Sequence, residues 1–175
     1  MQKTSYKNQR IIFVKGSRAI SMPGRIAEYD KVMHNTSLKV SHTASETHSQ
    51  ILRKELYASN ITAPPYGNAC HHIIEWDAKD ASIARDILEK YRIDFDSAAN
   101  GVLLPYENNG YVTTEAMHNG GHSSEYYKTV NNRLESIDEF IKARNLSASE
   151  SKMLISEELH NIRKDLLSGV LKVHN

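Results

Sequence analysis

Gly67-Asn68-Ala69-Cys70-His71-His72-Ile73-Ile74 is the stretch on which the reading of the fold turns. Ala63-Pro64-Pro65-Tyr66, just before it, forbids a helix and delivers extended chain into residues 70–76. Two adjacent histidines therefore lie on or beside a strand. Downstream, Asn100-Gly101 is a turn signal ahead of an apolar strand, Val102-Leu103-Leu104-Pro105-Tyr106. His118-Asn119-Gly120-Gly121-His122 then leads into a helix that should start near Ser123 or Ser124. Four of the nine histidines fall in these two tight groups. Histidine offers neutral nitrogen ligands and a base that titrates near neutral pH.

Outward from this stretch the chain reads as α-rich, with little strand. Residues 10–15 (Arg-Ile-Ile-Phe-Val-Lys) form a short β-branched run, with Ala19–Met22 as a pairing candidate before Pro23-Gly24 breaks it. Helical patterns follow over 25–34, over 45–59 (Ile51, Leu52, Leu56) and over 78–91 (Ile83, Ile87, Leu88, Tyr91). Arg85 and Glu89 have the spacing of an i,i+4 pair. Residues 107–121, rich in Asn, Gly and Thr, read as a surface loop. Tyr126/Tyr127, Val130, Leu134, Ile137 and Ile141 mark the buried stripe of the next helix. Ser147-x-x-Glu150 is a capping box for a last one, with Leu154, Ile162, Leu166 and Val170 apolar. The two form a helical hairpin.

Composition narrows the class. A chain of 175 residues can bury a core without staples, and 25% charged residues is ordinary for a globular domain. The formal charge of +1 does not announce a nucleic-acid binder, although residues 1–26 hold six cations and no acid. A lone cysteine, Cys70, excludes an internal disulfide and any multi-cysteine zinc site. There is no apolar run long enough to span a membrane and no secretory signal at the start, so no membrane insertion is expected.

Phosphodiester hydrolysis needs a deprotonated water, charge to offset that on the phosphoryl oxygens, and a stabilised leaving oxygen. A neutral imidazole supplies the first, and one divalent metal the other two. One histidine of the 71–72 pair would then bind metal with His118 and His122, and the other would act as base. Neighbours on a regular strand point to opposite faces, so both reach one phosphate only at a strand end or a bulge. Gly120-Gly121 disfavours a helix through both His118 and His122, which puts His122 at the helix N-terminus. Singly, each motif has a plain reading. A His-His pair is commonly structural, Asn-Gly is a turn, and Cys70 is a small buried residue. His34, His42, His48, His160 and His174 read as solvated surface residues.

In combination the order of motifs resembles the AHH nuclease family of the HNH (ββα-metal, treble-clef) superfamily. The resemblance covers roughly residues 50–135. It includes Leu52-Arg53, Pro64-Pro65-Tyr66-Gly67, His71-His72-Ile73-Ile74, Ile93, Asn100 to Pro105, His118, Gly121-His122, Tyr126 or Tyr127, and Val130. It implies that His71 is the hairpin metal ligand, that His72 is the general base, and that Asn100 braces the hairpin loop and orients that base. His118 and His122 become the remaining ligands. Cys70 stands where the family motif has alanine, which raises a thiolate near the metal as a variation.

The expectation is thus an α+β, α-rich protein with a ββα-metal (HNH-like) nuclease core, flanking helices and a C-terminal helical hairpin. Residues 1–44 would form an N-terminal arm, 45–142 the core, and 143–175 a C-terminal helix packing on it. The function implied is a metal-dependent endonuclease acting on DNA, or RNA, as a bacterial polymorphic-toxin effector with a cognate immunity protein. The cofactor would be one divalent ion, Zn2+ or Mg2+ first, with Mn2+ and Ni2+ as further candidates. Arg53, Lys54, Arg85, Lys128 and Arg133 are candidate nucleic-acid contacts by proximity in sequence. The family also implies delivery by a specialised secretion system and action in the target-cell cytoplasm. The alternative is a non-catalytic module on the same fold, either binding nucleic acid or holding structural zinc with Cys70 as fourth ligand.

Overall fold

The computed structural model describes residues 18–19, 22–34, 40–106, 111–112 and 115–174. In chain order these form β1 (Arg18–Ala19), α1 (Met22–His34), α2 (His48–Ala58), β2 (Asn68–His72), α3 (Ser82–Lys90), β3 (Gly101–Pro105), β4 (Tyr111–Val112), α4 (Ser124–Arg144) and α5 (Ala148–Ser168). Short 3-10 turns, Lys79–Ala81 and Ala98–Asn100, precede α3 and β3. No helix among the described residues is long and apolar enough to cross a membrane.

The N-terminal arm departs from expectation. Residues 10–15 lie outside the described residues, and β1 pairs in parallel with β4. Met22, expected in a strand, opens α1. Pro23 is tolerated there because the first helical N–H groups have no intrahelical partner to lose. The later boundaries follow their caps. Thr47 and Gln50 form a capping box that delays α2 to His48. Ser123 caps α4, and Ser147 with Glu150 caps α5. Gly169, in the left-handed region (φ 71°), ends α5. Val170 therefore falls outside the helix and is 77% exposed. Ile83, which shares the helical spacing of Ile87 and Leu88, is likewise exposed, because Ala84, Ile87 and Leu88 form the inner face of α3.

β2 and β3 pair antiparallel, with Cys70 opposite Leu103, His71 opposite Val102 and His72 opposite Gly101. Directly opposed residues share a face, so Cys70 and His72 look one way and His71 the other. Leu52 of α2 lies on the Cys70/His72 face, where a Cβ on Gly101 would come within 2.6 Å of its Cδ1. Glycine is needed there for close approach, since Leu52 is fully buried.

Among the described residues β3 has no second neighbour strand, yet its free edge is satisfied. Arg163 Nε of α5 donates to Gly101 O (2.8 Å), and Arg25 Nη2 of α1 donates to Leu103 O (2.8 Å). Leu103 N donates to Tyr29 Oη (2.8 Å), and His118 N donates to Pro105 O (2.7 Å). An edge capped this way offers no template for another chain. Around it Leu52, Leu56, Ile73, Leu88, Val102, Leu104, Val130, Leu134, Ile155, Leu159 and Ile162 form one continuous core. Arg163, 1% exposed, also donates to Ala98 O (2.8 Å) and Ala99 O (2.6 Å), which ties α5 to the turn bearing Asn100.

Candidate metal centre and its histidine neighbour

His71 points from β2 toward the N-terminus of α4, where His118 and His122 flank the entry to the helix. One nitrogen from each of the three lies within 4.8 Å of the others. Hydrogen bonding assigns the tautomers. The Tyr126 hydroxyl donates its proton to Ile73 O (2.8 Å), so it can only accept from His71 Nε2 (3.0 Å). His71 Nδ1 is left with its lone pair, and His122 Nε2 faces it at 3.2 Å. On the far side of His122, Nδ1 donates to Glu75 Oε2 (2.9 Å), and Tyr127 donates to the same oxygen. In the neutral ring with that tautomer, the lone pair of His122 is on Nε2.

Two neutral nitrogens facing each other this closely repel unless a proton or a metal lies between them. Two nitrogens on one tetrahedral ion, with bonds of about 2.0–2.1 Å, are separated by about 3.3 Å. His118 Nδ1 is buried with no hydrogen-bond partner among the described residues, an uncommon state for a polar atom. The residues fit a divalent cation. Burial pushes the His118 imidazole down to about 4 and that of His71 well below the usual range, helped by the neighbouring histidines, so both are neutral ligands at neutral pH. Burial works against ionisation of Glu75, but the hydrogen bonds from Tyr127 and His122 hold its carboxyl below the ordinary value. A carboxylate on the far nitrogen of a ligating histidine fixes the ring and raises its basicity.

His72, on the other face, has different company. Its Nε2 donates to Asp96 Oδ1 (2.8 Å), and its ring stacks on Phe95 with centroids 5.6 Å apart. The second oxygen of Asp96 binds His48 Nδ1 at 2.8 Å. Burial pulls the His72 pKa down and Asp96 pulls it up; burial prevails. His72 is the last residue of β2, and Glu75, which binds His122, lies near enough to act on its charge.

Asn100 is fully buried and spends its whole side chain on the segment after the histidine pair. Its Oδ1 accepts from Ile74 N (2.9 Å), and its Nδ2 donates to Ile74 O (3.0 Å) and Phe95 O (2.9 Å). Ile73 N donates to its carbonyl (2.8 Å). The residue thus fixes both the end of β2 and the residue before Asp96. Cys70 is buried, burial pushes its thiol up to about 12, and it is not in the imidazole cluster. The structure therefore corrects the expectation of a thiolate near the metal.

The five cations named from sequence are spread out. Arg53 holds Asn68 at the start of β2 (2.8 and 3.1 Å), and Lys54 pairs with Glu46. Arg85 donates to Glu75 O (3.1 Å) and to Ala78 O, and no ion pair with Glu89 occurs among the described residues. Arg133 is engaged by Glu158 and Asp165, both at 2.5 Å. Lys128, exposed on α4 six residues after His122, makes no ion pair among the described residues.

Several contributors carried no signal that sequence reading used. Glu75, Asp96 and the paired role of His48 depend on contacts across 24 to 48 residues. His48 was read as solvated, yet it stacks on Trp76 with centroids 4.6 Å apart. His160 is buried rather than solvated, bound to Asp30 (2.7 Å) and Arg163. Glu115, in the presumed surface loop, is buried beside Arg25 (2.8 Å).

Comparison with known proteins identifies the family. The model of the AHH family, described as a nuclease family of the HNH/ENDO VII superfamily with conserved AHH, matches residues 52–166. That is more than half of the chain, and the chain belongs to this family. Cys70-His71-His72 stands in the place of its AHH motif. Nucleases of the superfamily use a divalent metal. No curated protein and no solved structure matches.

Proposed function

We propose that this chain is a metal-dependent endonuclease that hydrolyses phosphodiester bonds of DNA, with RNA as the other nucleic acid open to it. The observation that carries this is the convergence of three imidazoles, His71 Nδ1 and His122 Nε2 lying 3.2 Å apart with a nitrogen of His118 within 4.8 Å of the others. A divalent ion held by His71, His118 and His122 would supply Lewis-acid stabilisation to the phosphoryl and leaving oxygens. Three imidazoles favour Zn2+ or Ni2+ over Mg2+, which prefers oxygen ligands.

The remaining chemistry belongs to this chain's own groups. With Nε2–H on Asp96, His72 keeps its Nδ1 lone pair to accept a proton from water. Asp96 holds the ring in that tautomer and stabilises the imidazolium as it forms. The water oxygen attacks phosphorus, and the bond to the leaving oxygen breaks. Asn100 is a positioning residue that keeps His72 and Phe95 in register. Substrate affinity comes from phosphate contacts and weakens with salt, Lys128 being the best-placed of the named cations.

The antagonistic setting rests on the family resemblance. It comprises a bacterial toxin effector domain, delivery by a specialised secretion system, action in the target-cell cytoplasm and a cognate immunity protein. The structural-zinc reading needs a fourth protein ligand, and Cys70, on the opposite face of β2 from His71, is poorly suited to supply it.

The deciding experiment is plasmid cleavage by purified protein in EDTA, Mg2+, Mn2+, Zn2+ or Ni2+, beside His72→Ala. We expect metal-dependent nicking by the parent and at least a roughly 100-fold slower rate in the variant. Equal cutting by both would remove His72 as the base, and no cutting of DNA or RNA would remove the nuclease reading.

A further inference from the structure

Trp76 is the only tryptophan of the chain, and it stands 50% exposed at the edge of the site. A single exposed apolar ring is ordinary in itself. This one is held from several sides. Its ring stacks on His48 at 4.6 Å with 28° between the planes. His48 is bound in turn to Asp96, whose other oxygen holds His72. Arg85 bonds the carbonyls of Glu75 and Ala78, on either side of the short loop that carries the ring. Glu75, the preceding residue, buttresses His122. An aromatic plane is thus fixed between the supports of the imidazole cluster and of His72, with half its surface open to solvent.

We propose that Trp76 is a stacking platform for an unpaired nucleobase of the strand being cut, an inference that rests on the nuclease reading above. A flat ring with an open face offers a base a π-contact independent of its identity. Bases inside a duplex already have both faces covered, so the platform favours single-stranded, looped or frayed nucleic acid over intact duplex. The loop itself carries no net positive charge to attract phosphates, since Asp77 and Asp80 lie exposed on it with the single cation Lys79 between them. The contact is ring on ring, and its contribution does not require counterion release.

The sole tryptophan is its own reporter. In EDTA, where no cleavage is expected, the full chain is titrated with an unlabelled 12-nucleotide single strand and with a blunt, loop-free duplex of that strand and its complement, and tryptophan emission is followed. We expect saturable quenching by the single strand and at least roughly fivefold weaker binding of the duplex. Affinity of a labelled single strand, read by anisotropy, should fall about tenfold in Trp76→Ala and stay within about threefold in Trp76→Phe. The tenfold loss should be similar at low and high salt.

Saturable binding with unmoved tryptophan emission would overturn the platform without reference to any variant. Parental affinity in Trp76→Ala, or a loss that vanishes at high salt, would do the same. If metal-loaded protein still cuts nucleic acid after such a result, the platform alone has failed. If the protein neither binds nor cuts any nucleic acid, the nuclease reading has failed with it.

Discussion

His71 and His72 are neighbours in the chain and belong to different chemical regions. His71 faces two more imidazoles and a tyrosine hydroxyl, with a carboxylate only on the far side of His122. His72 faces a carboxylate directly and lies against a phenyl ring. The first region gathers nitrogen lone pairs around a point, as a cation requires. The second fixes one ring by one nitrogen and gives the other no hydrogen-bond partner among the described residues, the arrangement the proposed base would use. Nothing in the two residues differs; the strand's alternation assigns them to opposite faces, and the neighbours set the roles.

The contrast breaks if the two regions share one task. Removing a ligand should cost most. His122→Ala should lower divalent-metal affinity by more than about 100-fold, while His72→Ala leaves it within about threefold, as measured by calorimetry with Zn2+ or Ni2+. Equal losses would mean that both histidines hold the metal.

Asn100→Ala comes next. It strips partners from Ile74 N, Ile74 O and Phe95 O, so urea denaturation should show a loss of about 2 kcal/mol together with slower cleavage. Unchanged stability would reduce Asn100 to an ordinary turn residue. Glu75→Gln should weaken the metal by roughly tenfold, through its hydrogen bond to His122, without moving stability as far. An unaltered affinity would sever the carboxylate from the cluster.

The smallest effect comes from a third buried histidine. Burial, and then Arg163, press the His160 pKa down to about 4, despite Asp30. Its folded value lies below the unfolded one of about 6.5, so its contribution is complete above pH 6.5 and is lost as pH falls toward 4. Between pH 6 and pH 5 the parent should lose about 1 kcal/mol more stability than His160→Gln. Parallel pH curves would show that the histidine is protonated in the fold.

What could be read from the sequence was whatever local rules determine. The Ser147/Glu150 box starts a helix wherever it packs, and the Tyr126, Val130, Leu134, Ile141 stripe is buried as its spacing requires. The histidine groups were visible because their types and intervals are rare. Asp96 and Glu75 were not, because a carboxylate in a loop looks the same whether it faces water or an imidazole 24 or 47 residues away. Pro23-Gly24 reads as a breaker until its place in the first turn of α1 is known. His160 and Glu115 look solvated until α1 supplies Asp30 and Arg25.

Arg163 carries a consequence for the order in which the chain is made. Its guanidinium secures the carbonyls of Ala98, Ala99 and Gly101 on either side of Asn100. No nascent chain that stops short of residue 163 contains that group. The turn behind His72 therefore acquires this support only after β2, β3, α4 and most of α5 have been made. A ribosome stalled within α4 would hold a fragment with His71, His118 and His122 but without the residue that secures the turn behind His72.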